Sequence, residues 1–222
     1  VAAHAAGERI VHRSDILSLL MNTKRAVTVA GAHGKTTTSS MLAHILTHAG
    51  EGNLADPSYA IGGSIQGKDG MMLDGGHAGQ GDVLVAEADE SDGSFAKYHP
   101  EIAIVTNSEA DHLDHYGTQE NYRAAFVDHV QHAVKSVVMC GDDEGNLAVL
   151  RALDASAAAH TVVYATQDEA SLGDLNSAAF VHIESESESA QSGAEHFTLH
   201  VPAGLLDEQE RMVPVTLAVP GI

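Results

Sequence analysis

One stretch, Ala26 to Ala49, narrows the fold of this 222-residue chain more than any other. Ala26-Val27-Thr28-Val29-Ala30 is a short apolar run that stops at Gly31, as a buried strand does. From Thr36 to Ala49 the apolar residues Met41, Leu42, Ile45, Leu46 and Ala49 fall on one helical face, and Gly50 supplies a C-terminal stop. Strand, glycine loop and helix in direct succession point to an α/β architecture in which a strand end meets a helix N-terminus.

Further runs repeat the theme. Val83-Leu84-Val85-Ala86 ends at Glu87, Ile102-Ala103-Ile104-Val105 at Thr106-Asn107, and Val137-Val138-Met139-Cys140 at Gly141-Asp142; Val162-Val163-Tyr164 is another. Between the second and third, Tyr122, Phe126, Val130 and Ala133 mark one face of a helix, and Glu144 to Leu153 reads as a further helix. Continuous apolar strands alternating with helices predict a mostly parallel, doubly wound sheet covered on both faces. After about Asp168 the pattern changes. Phe180 to Ile183, His196 to Val201 and Met212 to Val219 read as strands with no helix between them, a small antiparallel sheet spanning 168–219.

The loop after the first strand, Gly31-Ala32-His33-Gly34-Lys35-Thr36-Thr37, carries the strongest chemical signal. Glycines let the backbone curl around phosphate oxygens, and amide N–H groups at a helix N-terminus supply positive potential. Lys35 would neutralise β/γ phosphates, and the Thr36 hydroxyl would reach a magnesium ion. The loop is shorter than the common phosphate-loop pattern, because Val29 stands where that pattern has its first glycine. The plainer alternative is a tight turn capped by threonine.

Glu87-Ala88-Asp89-Glu90-Ser91-Asp92 follows a strand directly, and four acids in six residues repel one another unless cations or donors lie nearby. In an open α/β sheet that edge is where ligands bind, and Glu87 is best placed to hold magnesium. Thr106-Asn107-Ser108-Glu109-Ala110-Asp111-His112-Leu113-Asp114 also follows a strand. There His112 could ligate a metal while Asp111 or Asp114 orients its ring. A rival reading takes His112-x-x-His115 and His129-x-x-His132 as zinc-ligand spacing. Fifteen histidines make chance pairs common, and there is no His-Glu-x-x-His.

Charge bears on partners. The formal net charge is −20, with 31 acids against 11 lysines and arginines, which argues against duplex DNA or an anionic membrane. From Ser136 to Glu210 fourteen acids face one base, Arg151, so a polyanion site belongs in the first two thirds. Glu184 to Ser189 alternates Glu and Ser and reads as a solvated edge without chemistry. The lone cysteine, Cys140, forms no intrachain disulfide, which fits a reducing cytoplasm. Val1-Ala2-Ala3-His4 shows no signal-peptide pattern and no initiator Met, as expected of an excised fragment.

The three blocks in this order resemble the Mur ligase family of ATP-dependent amide-bond-forming enzymes. Gly31 to Thr37 is similar to that family's shortened phosphate loop, and 87–95 and 106–114 are similar to its acidic and histidine-bearing blocks. Asp56-Pro57 followed by Ile61-Gly62-Gly63 fits too, and the likeness runs from about His12 to the last residue.

The resemblance implies that residues 26–222 are a central ATPase domain and residues 1–25 a lead-in from an N-terminal UDP-binding domain. That domain and a C-terminal ligase domain would lie outside the chain. It implies ATP and Mg2+ as cofactors, and UDP-N-acetylmuramate and L-alanine as substrates joined through an acyl phosphate in peptidoglycan precursor synthesis. The implied catalytic groups are Lys35, Glu87 and His112. Nucleotide would be held by Gly31, Ala32, His33, Gly34, Lys35, Thr36, Thr37 and Asn107, and metal by Thr36, Glu87 and His112. Ala32 replaces a threonine common in the family, and no lysine here matches the carbamylated lysine of several relatives. The chain alone is expected to bind ATP or ADP weakly and not to ligate. Alternatives are a recycling ligase that adds a tripeptide to the same nucleotide, and a non-ligase nucleotide-binding module. No Asn-Lys-x-Asp guanine signature is present.

Overall fold

The computed structural model describes residues 5–188 and 194–217. Residues 1–4 of the lead-in, Ser189 of the Glu-Ser run, and Ala218 and Val219 of the last expected strand lie outside the described residues.

The elements, in chain order, are α1 (Arg13–Met21), β1 (Arg25–Ala30), α2 (Lys35–Ala49), β2 (Ser58–Ala60), β3 (Ile65–Gln66), β4 (Met72–Leu73), β5 (Gly76–His77) and β6 (Val83–Glu87). A short 3-10 turn (Ser94–Lys97) leads to β7 (Ile102–Val105), α3 (Leu113–Tyr116), α4 (Gln119–Gln131), β8 (Ser136–Cys140) and α5 (Glu144–Ala152). Then come α6 (Ala155–Ala159), β9 (Thr161–Ala165), α7 (Glu169–Leu172), β10 (Ala179–Glu188), β11 (Glu195–Val201) and β12 (Arg211–Leu217). Among the described residues, no helix is long and apolar enough to cross a membrane.

One ten-stranded sheet runs β12-β11-β10-β9-β8-β7-β1-β6-β2-β5. The strands from β10 to β2 are mutually parallel. The antiparallel part near the C-terminus is there and belongs to the same sheet: β10 joins β9 in parallel, and β11 and β12 add to it antiparallel. β3 and β4 form a separate two-stranded hairpin.

Alternation along the strands sends side chains to two cores. Ala26, Ala30, Leu84, Ala86, Val105 and Met139 face the layer containing Phe95, Tyr122, Phe126, Leu147 and Leu150. Val27, Val83 and Val85 face the opposite layer, with Ala43 of α2, Tyr59 and Ile65. Both faces are therefore covered, which is why the central strands read as unbroken apolar runs.

Two details differ from the sequence reading. The stripe expected on α2 is rotated: Met41 and Ile45 are exposed, and so is Ala49, while Ser39 and Ala43 are fully buried with Leu42 and Leu46 half-buried beside them. Small residues let the helix sit close on the sheet, and Ser39 satisfies its hydroxyl on the Lys35 carbonyl at 2.8 Å. Ala133 lies past the end of α4, half-buried against the core rather than on the helix.

The strand order places the site. From β1 the chain passes through α2 to β2, two positions away, and returns to β6 beside β1. It then crosses to β7 on the other flank of β1 and continues outward through β8, β9 and β10. The direction of winding thus reverses around β1, and the carboxyl ends of β6, β1 and β7 lie side by side. A switch of this kind opens a crevice at the strand ends.

Candidate functional site

Each of the three motifs read from sequence begins at one of those strand ends. The glycine loop leaves β1, the acidic run leaves β6, and the Thr106–Asp114 segment leaves β7.

The loop is braced from β7. Gly31 has φ +144°, and a Cβ there would stand 2.1 Å from Thr106 Oγ1, so only glycine fits. Thr106 Oγ1 donates to the His33 carbonyl at 2.6 Å. The Asn107 amide clasps the same residue, accepting from His33 N at 3.0 Å and donating to His33 O at 2.9 Å. Asn107, expected at the nucleotide, is therefore engaged in shaping the loop. α2 starts at Lys35 after Gly34, with no side-chain cap, so its first-turn amides face the crevice.

Lys35 Nζ donates to Gly31 O at 2.6 Å, to Glu90 Oε1 at 2.9 Å and, more weakly, to Ala32 O at 3.4 Å. Thr36 Oγ1 donates to Glu87 Oε1 at 2.8 Å, and Gly62 N donates to Glu87 Oε2 at 2.7 Å. A Cβ on Gly62 would come within 2.9 Å of that same oxygen, so the Glu87 carboxylate would have to shift. Thr36 and Glu87, the pair expected to hold a metal, are thus already in contact.

His112 begins α3 in the left-handed region at φ +51°, a conformation costly for a non-glycine residue and frequent at functional sites. Its Nε2 lies 3.9 Å from Glu90 Oε1 and 3.8 Å from Asp111 Oδ2. Asp111 is the acid near the ring; Asp114 is exposed on α3. Lys35 and His112 therefore meet the same Glu90 oxygen, and Thr36 follows Lys35 into Glu87. The predicted residues stand on one edge of the sheet.

Sequence reasoning missed Glu90, which is fully buried. Burial pushes its carboxyl above the usual carboxylate range, against the pull of Lys35. Burial also pushes Asp89 up, but hydrogen bonds from Ser91 outweigh it and leave that carboxyl below its ordinary value. Tyr116 donates a short hydrogen bond to the Glu90 carbonyl, and burial with the neighbouring acids raises its phenol to about 12.

The oxygen donors of Thr36 and Glu87 suit magnesium, which is commonly held by one or two protein oxygens together with phosphate oxygens and water. Among the described residues no three His, Cys, Asp or Glu side chains form a ready-made metal cage. The zinc spacing does not converge on a site either. His129 is completely buried, with Nε2 3.1 Å from Thr28 Oγ1 and Nδ1 3.0 Å from Phe95 O, so both ring nitrogens are engaged. His132 stacks on His99 with centroids 4.2 Å apart. Beside Glu87 and Asp89 opens a groove of about 690 Å³, walled by Ile16, Leu20, Ile61 and Tyr98, with Arg13 at its rim.

The family described as Mur ligase middle domain matches residues 29–206. The chain is 81% identical over its whole length to the UDP-N-acetylmuramate–L-alanine ligase of Bifidobacterium adolescentis, covering 43% of that protein. It is 66% identical to the corresponding ligase of Bifidobacterium longum, again over the whole chain and 43% of the relative. The chain thus spans less than half the length of these relatives. Among solved structures it superposes on the UDP-N-acetylmuramate:L-alanyl-gamma-D-glutamyl-meso-diaminopimelate ligase from Neisseria meningitides with TM-score 0.68 at 21% identity, covering 99% of this chain and 64% of the other. It superposes on the Thermotoga maritima MurF ligase in complex with ADP with TM-score 0.55 at 16% identity, covering 92% and 45%. These two share the fold.

Proposed function

Because the chain belongs to the Mur ligase family, we propose that it is the ATP-using part of a ligase that joins L-alanine to UDP-N-acetylmuramate in the cytoplasm. The observation that carries this reading is the gathering of a Thr36–Glu87 hydrogen bond, a Lys35–Glu90 ion pair and His112 3.9 Å from Glu90 at the ends of β6, β1 and β7.

The triphosphate lies along the loop, where first-turn amides of α2 and the Lys35 ammonium face its β and γ groups. Thr36 and Glu87 would hold magnesium, with His112 available to a second ion. Magnesium held there would supply positive charge to offset that of the phosphates. A carboxylate oxygen of the acceptor attacks the γ phosphorus, the bond to the β-phosphate oxygen breaks, and ADP leaves. The amine of L-alanine then attacks the acyl carbon, loses a proton and expels inorganic phosphate. Transfer of this kind needs positioning and charge neutralisation more than covalent help from the protein. The groove against Glu87 and Asp89 is where the acceptor would approach, with Arg13 offering it a positive charge. High identity to L-alanine ligases supports the amino acid over a tripeptide as second substrate. The UDP-binding and C-terminal parts of the ligase lie outside this chain, so the chain alone should bind ATP weakly and not ligate.

Calorimetry with ATP in the full-length protein tests the reading. Binding should require magnesium, fall at least about tenfold in chelator, and fall similarly in Glu87→Gln, which keeps the local shape and removes the charge. Phosphate release should need both UDP-N-acetylmuramate and L-alanine. ATP binding indifferent to magnesium and to Glu87→Gln would overturn it.

A further inference from the structure

Glu90 is the acid of the 87–92 run that solvent does not reach. Its Oε1 accepts from Lys35 Nζ at 2.9 Å, with His112 Nε2 3.9 Å away, while Oε2 is buried without a hydrogen-bond partner. The backbone of Glu90 is fixed as well, by the Tyr116 hydroxyl of α3, the helix that His112 starts. Burying a carboxylate in this way is costly unless it holds something in place.

Lys35 shows what is held. An ammonium has three donors. Those of Lys35 are directed at Gly31 O, Glu90 Oε1 and Ala32 O, all protein acceptors. A phosphate that takes Lys35 must displace at least one of them. The two carbonyls belong to the loop itself and are neutral, so Glu90 is the charged competitor.

Resting on the nucleotide reading above, we propose that Glu90 is a positioning residue. It holds Lys35 and His112 in register across the mouth of the phosphate loop, and the incoming phosphate competes with it for the Lys35 ammonium. Two opposite effects follow. Removing the charge frees Lys35, so ATP binds more tightly. Removing it also releases the register of Lys35 and His112, so the transfer step slows.

The test is Glu90→Gln in the full-length protein, measuring the Kd of ATP with magnesium, kcat with both acceptor substrates, and thermal unfolding. Gln fills the same space and can still accept from Lys35. The expected result is a Kd about threefold lower or better, with kcat down at least about tenfold. Glu90→Asp is the second variant. It keeps the charge but withdraws it by one methylene, and it too should lower kcat without weakening ATP binding. A purely structural residue would instead weaken binding, kcat and thermal stability together, and that pattern overturns the inference. So does a Glu90→Gln protein indistinguishable from wild type. If wild type binds ATP with magnesium and Glu87→Gln abolishes this while Glu90→Gln changes nothing, the nucleotide reading stands and the role of Glu90 falls. If wild type does not bind ATP, both fall.

Discussion

Acidification from pH 7 to pH 5 should destabilise this fold through His129, and replacing that residue should remove the effect. His129 is completely buried, and burial lowers its pKa from 6.5 to about 4. The unfolded chain therefore binds a proton that the folded chain refuses between those values. Stability is fully present above the unfolded value and is lost as pH falls through the window. The whole shift corresponds to about 3 kcal/mol, of which about 2 kcal/mol is gone by pH 5. The assay is urea unfolding of wild type and His129→Leu at several pH values, comparing the difference between the two proteins so that every other titrating group cancels. At pH 7 the variant should be weaker by about 2 kcal/mol, because Thr28 and the Phe95 carbonyl lose their buried partner. By pH 5 the difference should close. Glu101 beside Arg25 does not confuse this range, since its lowered value acts below the ordinary 4.5. Two stability curves that stay parallel from pH 7 to pH 5 would show that His129 is not held neutral in the core.

The loop offers two more tests. Gly31→Ala forces a Cβ to within 2.1 Å of Thr106 Oγ1 at a φ that side chains avoid, so thermal unfolding should show a loss of about 1–3 kcal/mol and ATP binding should vanish. Asn107→Ala frees the His33 amide at an exposed position, while Thr106 Oγ1 still donates to the His33 carbonyl; stability should change by less than about 1 kcal/mol while calorimetry shows ATP affinity down about tenfold. Unchanged affinity in Asn107→Ala would mean the loop keeps its shape without that clasp.

Much of the fold was legible because the central strands are covered on both faces and their apolar runs end at glycine or polar residues. β6 and β7 are where the runs Val83–Ala86 and Ile102–Val105 put them. β2 to β5 were not legible. They are two or three residues long in a glycine-rich segment, too short for any period, and exist because partners are available, as when Tyr59 pairs with Val85. The face of α2 was misjudged because periodicity marks the bulky stripe, whereas close packing on the sheet selected the small residues Ser39 and Ala43. Lys35, Thr36, Glu87 and His112 were singled out by residue type at a strand end, and the structure brings them to one edge of the sheet. Glu90 was passed over because its importance comes from burial, which no local pattern encodes. The hold of Asn107 on His33 was not legible, because it is a contact across 74 positions.

The acids at the end of β6 differ in what they face, which supports the proposal that Glu87 is the one to hold a metal. Asp89 lies 3.9 Å from Arg13, and Asp92 lies 3.7 Å from His12, both at the start of α1. Glu90 is paired with Lys35. The carboxylate of Glu87 receives only neutral donors, the Thr36 hydroxyl and the Gly62 amide. Neutral donors orient a carboxylate without cancelling its charge. A triphosphate entering beside it adds like charge, which in a partly buried crevice is strongly unfavourable. On the proposed reading, a divalent cation held by Glu87 and Thr36 would relieve this repulsion. The acid run is thus already divided: Asp89 faces Arg13, Glu90 faces Lys35, and Glu87 is left for the cation that, on the proposed reading, accompanies the nucleotide.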